Sequence, residues 1–141
     1  MSSFIYNSAK LRLLQRNFDF ENDDFKVALV TATYSADKDA HEFFTDVTSE
    51  SSGTNYTAGG KALENIVLSQ DDANDRAILD ADNLVWSVAT LVARAAVIYK
   101  DTGSAATSPL LAYVDFEEDL ETAGEDFILQ WHEDGILGLG E

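Results

Sequence analysis

A ten-residue run in the second half of the chain, residues 91–100, constrains the fold more than any other segment. Alternate side chains of an extended strand point to opposite faces, and here both faces are almost entirely apolar. The apolar side chains are Leu91, Ala93, Ala95, Val97 and Tyr99 on one face and Val92, Ala96 and Ile98 on the other. The run therefore predicts a central strand that is covered on both sides. Arg94 is the exception, and we expect it to pair with an acid at a rim or an interface, because an unpaired buried guanidinium is very costly.

Further strand-like segments separated by turn residues follow residue 61. They are residues 62–69, 76–79, 84–88, 110–116, 127–131 and 136–139. Asp134-Gly135 is a strong two-residue hairpin signal between the last two of them. This pattern predicts a mainly β, single-domain antiparallel β-barrel or β-sandwich. The last segment is either an edge strand that closes the barrel or one that pairs with a neighbouring chain.

The first half of the chain is less regular. Residues 25–31 form an apolar, β-branched-rich run that predicts a buried strand. Residues 41–44 predict a short helical turn that places Phe43 and Phe44 on the core. Residues 45–60 are rich in Ser, Thr and Gly and predict a long surface loop. Loops of this length in a compact domain often carry function.

The N-terminus predicts an amphipathic helix over residues 3–16. Its spacing is helical at Phe4, Ser8, Leu11, Leu14 and Phe18. Ser2 or Ser3 can cap its start. We therefore divide the single domain into an N-terminal helix and basic arm, residues 1–18, and a β-rich part, residues 19–141.

Charge is segregated between these two parts. Residues 1–18 carry Lys10, Arg12 and Arg16 and no acid, whereas the rest holds six bases and all 26 acids, so +3 and −20 give the net −17. Such a protein repels phosphate backbones, so we expect it to bind no nucleic acid. No segment has the length of apolar sequence that a membrane span needs, and no secretory signal is visible. The arm either stabilises its own helix and pairs with the protein's own acids, or docks on a neighbouring acidic surface.

Catalytic chemistry has little support. The chain has no cysteine, its two histidines, His41 and His132, stand far apart, and no nucleophile, phosphate-loop or zinc motif is present. We therefore expect no enzyme activity and no cofactor. The aspartates between Asp71 and Asp82 suggest a calcium site, but their spacing does not fit an EF-hand and a solvated turn is the better interpretation. Trp86 and Trp131, with Phe127, suggest a sugar platform, although core packing is the default.

Several blocks, in order, resemble a family of small acidic virion proteins of tailed bacteriophages. They are residues 4–10 (FIYNSAK), 26–31 (KVALVT), 34–39 (YSADKD), 56–60 (YTAGG), 80–82 with Trp86, 93–103 (ARAAVIYKDTG) and 109–116 (PLLAYVDF). The resemblance spans nearly the whole chain. It departs at Asn55, where such proteins usually have Gly before the Tyr, and Asn also tolerates left-handed backbone geometry.

The resemblance implies a non-enzymatic head decoration, or cement, protein on the capsid exterior, made in the host cytoplasm. Its implied partners are the major capsid protein, at junctions between subunits, and further copies of itself, as a homotrimer or other homo-oligomer. The residues expected to contact partners are Lys10, Arg12, Arg16, Arg94, Asn55 and Tyr56. The alternatives are a head–tail, tail or baseplate subunit, or, from another class, a calcium- or carbohydrate-binding module.

Overall fold

A computed structural model describes residues 3–140. The elements are β1 (Phe4–Ile5), α1 (Asn7–Leu14), β2 (Phe25–Val30), β3 (Lys61–Ala62), β4 (Val67–Asp71), β5 (Arg76–Asp80), β6 (Leu84–Lys100), β7 (Leu110–Leu129) and β8 (Leu137–Gly140), with 3₁₀ turns at Phe44–Asp46 and Ala105–Thr107. One antiparallel sheet has the strand order β1-β7-β6-β2-β3, and a second has the order β4-β5-β8. The predicted mainly β, antiparallel fold with an N-terminal helix is confirmed. Residues 3–140 form two sheets and no closed barrel.

Strand β6 is the centre of the larger sheet, as the sequence predicts. It pairs with β2 on one side and with β7 on the other. Residues 95–99 of β6 are buried, together with most of β2. The Nε atom of Arg94 lies 3.4 Å from Oδ1 of Asp115, whose side chain is only 1% exposed. The prediction that Arg94 pairs with an acid is therefore confirmed.

Two pairs of predicted strands are in fact two long strands. Residues 84–88 and 91–100 both belong to β6, whose register to β7 shifts around Val88, a residue with a left-handed φ of 49°. Residues 110–116 and 127–129 both belong to β7, which continues through the acidic stretch between them. Acidic residues are depleted in strands, so the composition of this stretch does not predict a strand. They pair with β6 and leave most of their side chains in solvent, which removes the cost of burying charge.

The predicted hairpin between the last two strands is wrong. Gly135 makes a tight local turn with His132, but β8 pairs with β5 and not with β7. The backbone N–H of Ile136 donates to the carbonyl oxygen of Leu79, 2.8 Å away, and this contact sets β8 beside β5. The last strand is therefore an edge strand of the smaller sheet.

The N-terminal helix is shorter than predicted and starts later. Phe4 and Ile5 pair with Tyr113 and Ala112 as strand β1, so the helix begins at Asn7, and Tyr6 precedes it without a side-chain cap. The hydroxyl of Ser3 instead accepts the N–H of Asp115 at 2.9 Å. Ser2, the other predicted cap, lies outside the described residues.

The predicted apolar stripe faces the core only at its ends, where Phe18 is buried and Phe4 packs against the core. Ala9 is the buried residue of the helix, whereas Leu11 is 56% and Leu14 is 85% exposed. Because β1 fixes where the helix begins, its packing face is set by Tyr6 and Ala9 and not by the leucines.

The predicted helical turn at residues 41–44 is also displaced. The structure has a 3₁₀ turn at Phe44–Asp46, because the carboxylate of Asp46 accepts the backbone N–H groups of Glu42 and Phe43 and so holds residues 42–46 in a tight turn. The ring of Phe44 stacks on the buried Tyr99 with the ring centres 4.1 Å apart, so its predicted contact with the core is present.

Candidate partner-binding surface

Most of the basic side chains are occupied by the protein itself. The bases paired with the chain's own acids are Arg12, Lys26, Arg76, Arg94 and Lys100. Lys38 lies over the ring of Phe4, and Lys61 over that of Trp86. Within residues 3–140, only Lys10 and Arg16 have neither an ion pair nor a ring contact. Both belong to the N-terminal arm.

Arg12 stabilises the arm through contacts within the protein. Its Nη2 atom lies 2.5 Å from Oε1 of Glu42, and its guanidinium lies over the ring of Phe43, 5.0 Å from the ring centre. The side chain is mostly buried. Arg12 therefore follows the first of the two interpretations of the arm, in which the bases pair with the protein's own acids.

Arg16 projects from the end of the helix because of how the helix terminates. It has a left-handed φ of 60°, the N–H of Asn17 donates to the carbonyl oxygen of Arg12 at 2.9 Å, and the N–H of Arg16 donates to that of Leu13 at 3.2 Å. These two bonds form a Schellman motif, the usual way of satisfying the last carbonyls of a helix. The motif turns the chain sharply and leaves the guanidinium in solvent.

Lys10, Leu11, Leu14 and Arg16 together form what we call the arm surface. Lys10 and Leu14 are four residues apart and Leu11 and Leu14 three apart, so they are neighbours on the helix. Two exposed leucines therefore lie beside two cations that have no acidic partner. An exposed apolar cluster commonly marks an interaction site. The charge pattern of the sequence indicates the bases, whereas the helical spacing of the leucines predicts, wrongly, that they face the core.

An apolar groove lies beside the N-terminal helix. It has a volume of about 170 Å³ and is bounded by the arm on one side and the smaller sheet on the other. Its lining residues are Leu13, Phe20, Leu68, Ala77, Ile78, Leu79, Leu137 and Leu139. Leu68 and Leu139 remain more than half exposed. The groove therefore joins Leu13 of the helix to the apolar side chains of the smaller sheet.

Arg94 lies at a different place. Its Nη1 atom is 3.9 Å from Oδ1 of Asp119, in addition to the contact with Asp115. With Tyr34 and Tyr113 it borders a shallow cleft of about 240 Å³. The structure therefore does not bring Arg94 together with Lys10 and Arg16.

The 45–60 loop is fastened to the exposed edges of two strands. The N–H of Ser51 donates to the carbonyl oxygen of Leu29 at 2.8 Å, and the N–H of Thr90 donates to that of Thr54 at 3.2 Å. The hydroxyl of Ser51 donates to the carbonyl oxygen of Val92. The loop thus satisfies backbone groups of β2 and β6 that no neighbouring strand reaches.

Asn55 and Tyr56 act inside this loop. Asn55 has a left-handed φ of 62°, as its tolerance of that geometry allows, and its side-chain amide donates to the carbonyl oxygens of Ser87 and Val88. The hydroxyl of Tyr56 accepts the N–H of Leu29 at 2.9 Å and donates to Oε2 of Glu50 at 2.6 Å. Burial and this bond to a carboxylate raise the pKa of Tyr56 well above its ordinary value.

The outer part of β7 carries a dense row of acids. They are Glu117, Glu118, Asp119, Glu121, Glu125 and Asp126, and all are exposed. Asp119 reaches Arg94, and Oδ1 of Asp126 accepts the N–H of Val88 at 2.9 Å. The basic arm and this acidic row give the molecule surfaces of opposite sign.

The other two kinds of site gain no support from the geometry. Asp71 accepts hydrogen bonds from Asn74 and Arg76, which lower its pKa, and no group of three or more acidic or histidine side chains in residues 3–140 is arranged to hold a metal ion. Trp86 and Phe127 are buried and pack edge-to-face with ring centres 5.9 Å apart. Their default assignment to the core is therefore correct.

No helix within the described part of the chain is long and apolar enough to span a membrane. The fold defines the chain as a mainly β protein of two antiparallel sheets with one short N-terminal helix. Models of protein families, curated proteins and solved structures were all compared with this chain, and none matched.

Proposed function

We propose that this chain is a non-enzymatic structural protein of a tailed-bacteriophage virion that decorates the outside of the capsid, where it binds at junctions between major capsid protein subunits. The observation that carries the binding mode is the arm surface, where two cations without acidic partners flank two exposed leucines. The assignment to a virion rests on the ordered sequence blocks that resemble the family.

Charge supports an exterior position. A protein with a net charge of −17 is repelled by packaged DNA, whereas the outer shell imposes no such penalty. The same charge makes copies repel one another, so a homo-oligomer on the particle needs apolar contact or local charge pairing. The apolar groove beside the smaller sheet supplies area for such contacts.

The arm surface is the docking element of this proposal. Lys10 and Arg16 provide long-range attraction to an acidic patch on the shell, and Leu11 and Leu14 provide the area that is removed from water on contact. Asn55, Tyr56 and Arg94 hold the protein's own loop and sheet together. Their contribution to docking is to keep the surrounding surface rigid.

Copy number in purified particles tests the assignment. Quantitative mass spectrometry against the major capsid protein is expected to give a ratio near one to one. A few copies per hundred capsid subunits would instead indicate a head–tail, tail or baseplate subunit. Absence from particles would refute the virion proposal altogether.

Charge reversal tests the binding mode. We expect Lys10→Glu with Arg16→Glu to lower the affinity for capsids that lack the protein by at least about tenfold at low ionic strength, and by less as salt rises. The control is Lys26→Glu with Lys61→Glu, which changes net charge equally at two bases on the neighbouring strands β2 and β3, outside the arm. Equal losses for both pairs would mean that only net charge matters, and no loss for either would exclude the arm.

A further inference from the structure

The N-terminal segment is held to the body by the pairing of β1 with β7 and, beyond β1, by the turn at residues 34–42, which we call the latch. The hydroxyl of Tyr6 lies 2.9 Å from that of Tyr34. Asn7 donates its backbone N–H to the carbonyl oxygen of Lys38 and its side-chain amide to Oδ1 of Asp39. With the Arg12–Glu42 ion pair, these contacts fix the arm at three successive points.

The protonation of His41 sets which group donates and which accepts in each hydrogen bond at the centre of the latch. The backbone N–H of Asp37 donates to Nδ1 of His41 at 3.2 Å, and a backbone amide cannot act as an acceptor. Nδ1 therefore carries no proton, and the ring is neutral with its proton on Nε2. The hydroxyl of Tyr34, 2.9 Å from the same Nδ1, must then donate to it.

The direction passes on to Tyr6. Because the hydroxyl of Tyr34 donates its proton to His41, its oxygen can only accept a second hydrogen bond, and the hydroxyl of Tyr6 donates to it. Tyr6 is fully buried, and within residues 3–140 Tyr34 is the partner of its hydroxyl. Burial raises the pKa of Tyr34 to about 12, so both phenols stay protonated at neutral and mildly acidic pH.

We propose that protonation of His41 opens the latch and releases residues 7–16, which carry the arm surface, while β1 stays paired with β7. A proton on Nδ1 faces two donors, the N–H of Asp37 and the hydroxyl of Tyr34, and both contacts are lost. If Tyr34 reverses to accept from His41, it donates to Tyr6, and the buried hydroxyl of Tyr6 has no acceptor for its own proton. Either way a buried hydrogen bond is left unmade.

The acidic side chains around His41 already make hydrogen bonds or ion pairs with other groups. On its own turn, the carboxylate of Asp37 accepts the N–H groups of Asp39 and Ala40. On the following 3₁₀ turn, Asp46 accepts those of Glu42 and Phe43, and Glu42 pairs with Arg12 of the helix. Asp37 and Asp46 attract a cationic ring, so an imidazolium formed here gains charge partners while it loses the hydrogen-bond acceptor that the latch requires.

Nuclear magnetic resonance on the full chain tests this directly. Ring-nitrogen spectra at neutral pH should show His41 with its proton on Nε2. As the pH is lowered from 7 to 5, hydrogen-exchange protection of residues 6–15 should fall about tenfold or more, while that of β2 and β6 stays constant. A proton on Nδ1 at neutral pH, or unchanged protection of residues 6–15, would overturn the proposal.

Matched variants remove the histidine without removing the acceptor. In His41→Asn the amide oxygen replaces Nδ1 and does not titrate, so we expect residues 6–15 to stay protected down to pH 5. His132→Asn is the control, since His132 lies far along the chain beside Asp134, and it should keep the wild-type response. Loss of the response in His132→Asn, or its persistence in His41→Asn with an intact neutral-pH spectrum, would contradict the assignment to His41.

Discussion

The hydroxyl of Tyr56 offers the sharpest test of how the 45–60 loop is held. Tyr56→Phe removes one oxygen atom and two hydrogen bonds, one from the N–H of Leu29 and one to the carboxylate of Glu50. Leu29 is fully buried, so its N–H loses a partner that water replaces poorly. Glu50 keeps the N–H of Gly59, 2.7 Å away.

The expected cost follows from these two losses. An orphaned buried N–H costs about 1–3 kcal/mol, and a hydrogen bond to a charged group contributes about 1.5–3 kcal/mol. Because Tyr56 itself is only half-buried, water recovers part of the second term. We therefore expect the free energy of unfolding to fall by about 2–4 kcal/mol.

Urea denaturation at pH 7 measures this directly. With a slope of about 2 kcal/mol per molar, the midpoint should fall by roughly 1–2 M. Tyr113→Phe is the control, since the Tyr113 hydroxyl makes no hydrogen bond within residues 3–140, and it should stay within about 0.5 kcal/mol of the wild type. If Tyr56→Phe matched this control, the loop would not be held by its tyrosine hydroxyl and the argument for its anchoring would fail.

Three further expectations concern other parts of the molecule. In urea denaturation, Gly60→Ala should lower the free energy of unfolding by more than about 2 kcal/mol, because a Cβ there lies 1.9 Å from the carbonyl oxygen of Val27 at a φ of +83°. Gly103→Ala is the control and should lower it by only about 1–2 kcal/mol, because its φ is +92° but no atom lies within 4 Å of the added Cβ. Arg94→Met should lower the free energy of unfolding by about 1–3 kcal/mol, since it removes a cation from the buried carboxylate of Asp115, and a thermal midpoint equal to that of Arg16→Met would contradict this. The backbone N–H groups of Phe43 and Glu42 lower the pKa of Asp46. Its contribution to the free energy of unfolding is therefore present above the unfolded-state pKa of about 3.9 and is lost as the pH falls through the lower folded-state pKa. The difference in stability between wild type and Asp46→Asn should narrow from pH 6 to pH 2, and a constant difference would refute this argument.

Patterns confined to one strand predicted the larger sheet well. The two apolar faces of residues 91–100 place β6 at its centre, because only a strand with neighbours on both sides and cover on both faces can bury them. Arg94 stood out for the same reason, as the one residue in the run whose burial needs a partner. These inferences depend on side-chain alternation, which is local information.

Features that depend on distant pairing were not predictable. Helical spacing alone predicts that the leucines of the arm face the core, but the pairing of β1 with β7 moves the helix start to Asn7 and turns them to solvent. The acidic stretch of β7 has poor strand propensity, and only its partner β6 makes it a strand. The turn at Gly135 was located correctly, but no local signal showed that β8 would join β5. Asn55 and Tyr56 were singled out from a sequence block, and their hydrogen bonds to strands far away in sequence explain why such a block is distinctive.

The pairing of β1 with β7 has a consequence for how the protein is made. Phe4 is synthesised 109 residues before its strand partner Tyr113. At about 5–20 residues per second, it waits roughly 5–20 s for that partner. β5 likewise waits for residues 137–140. Contacts between such distant positions also slow the search for the native state. During this interval Leu11 and Leu14 stand beside unpaired strands, so the nascent chain is prone to aggregation until Tyr113 has been made.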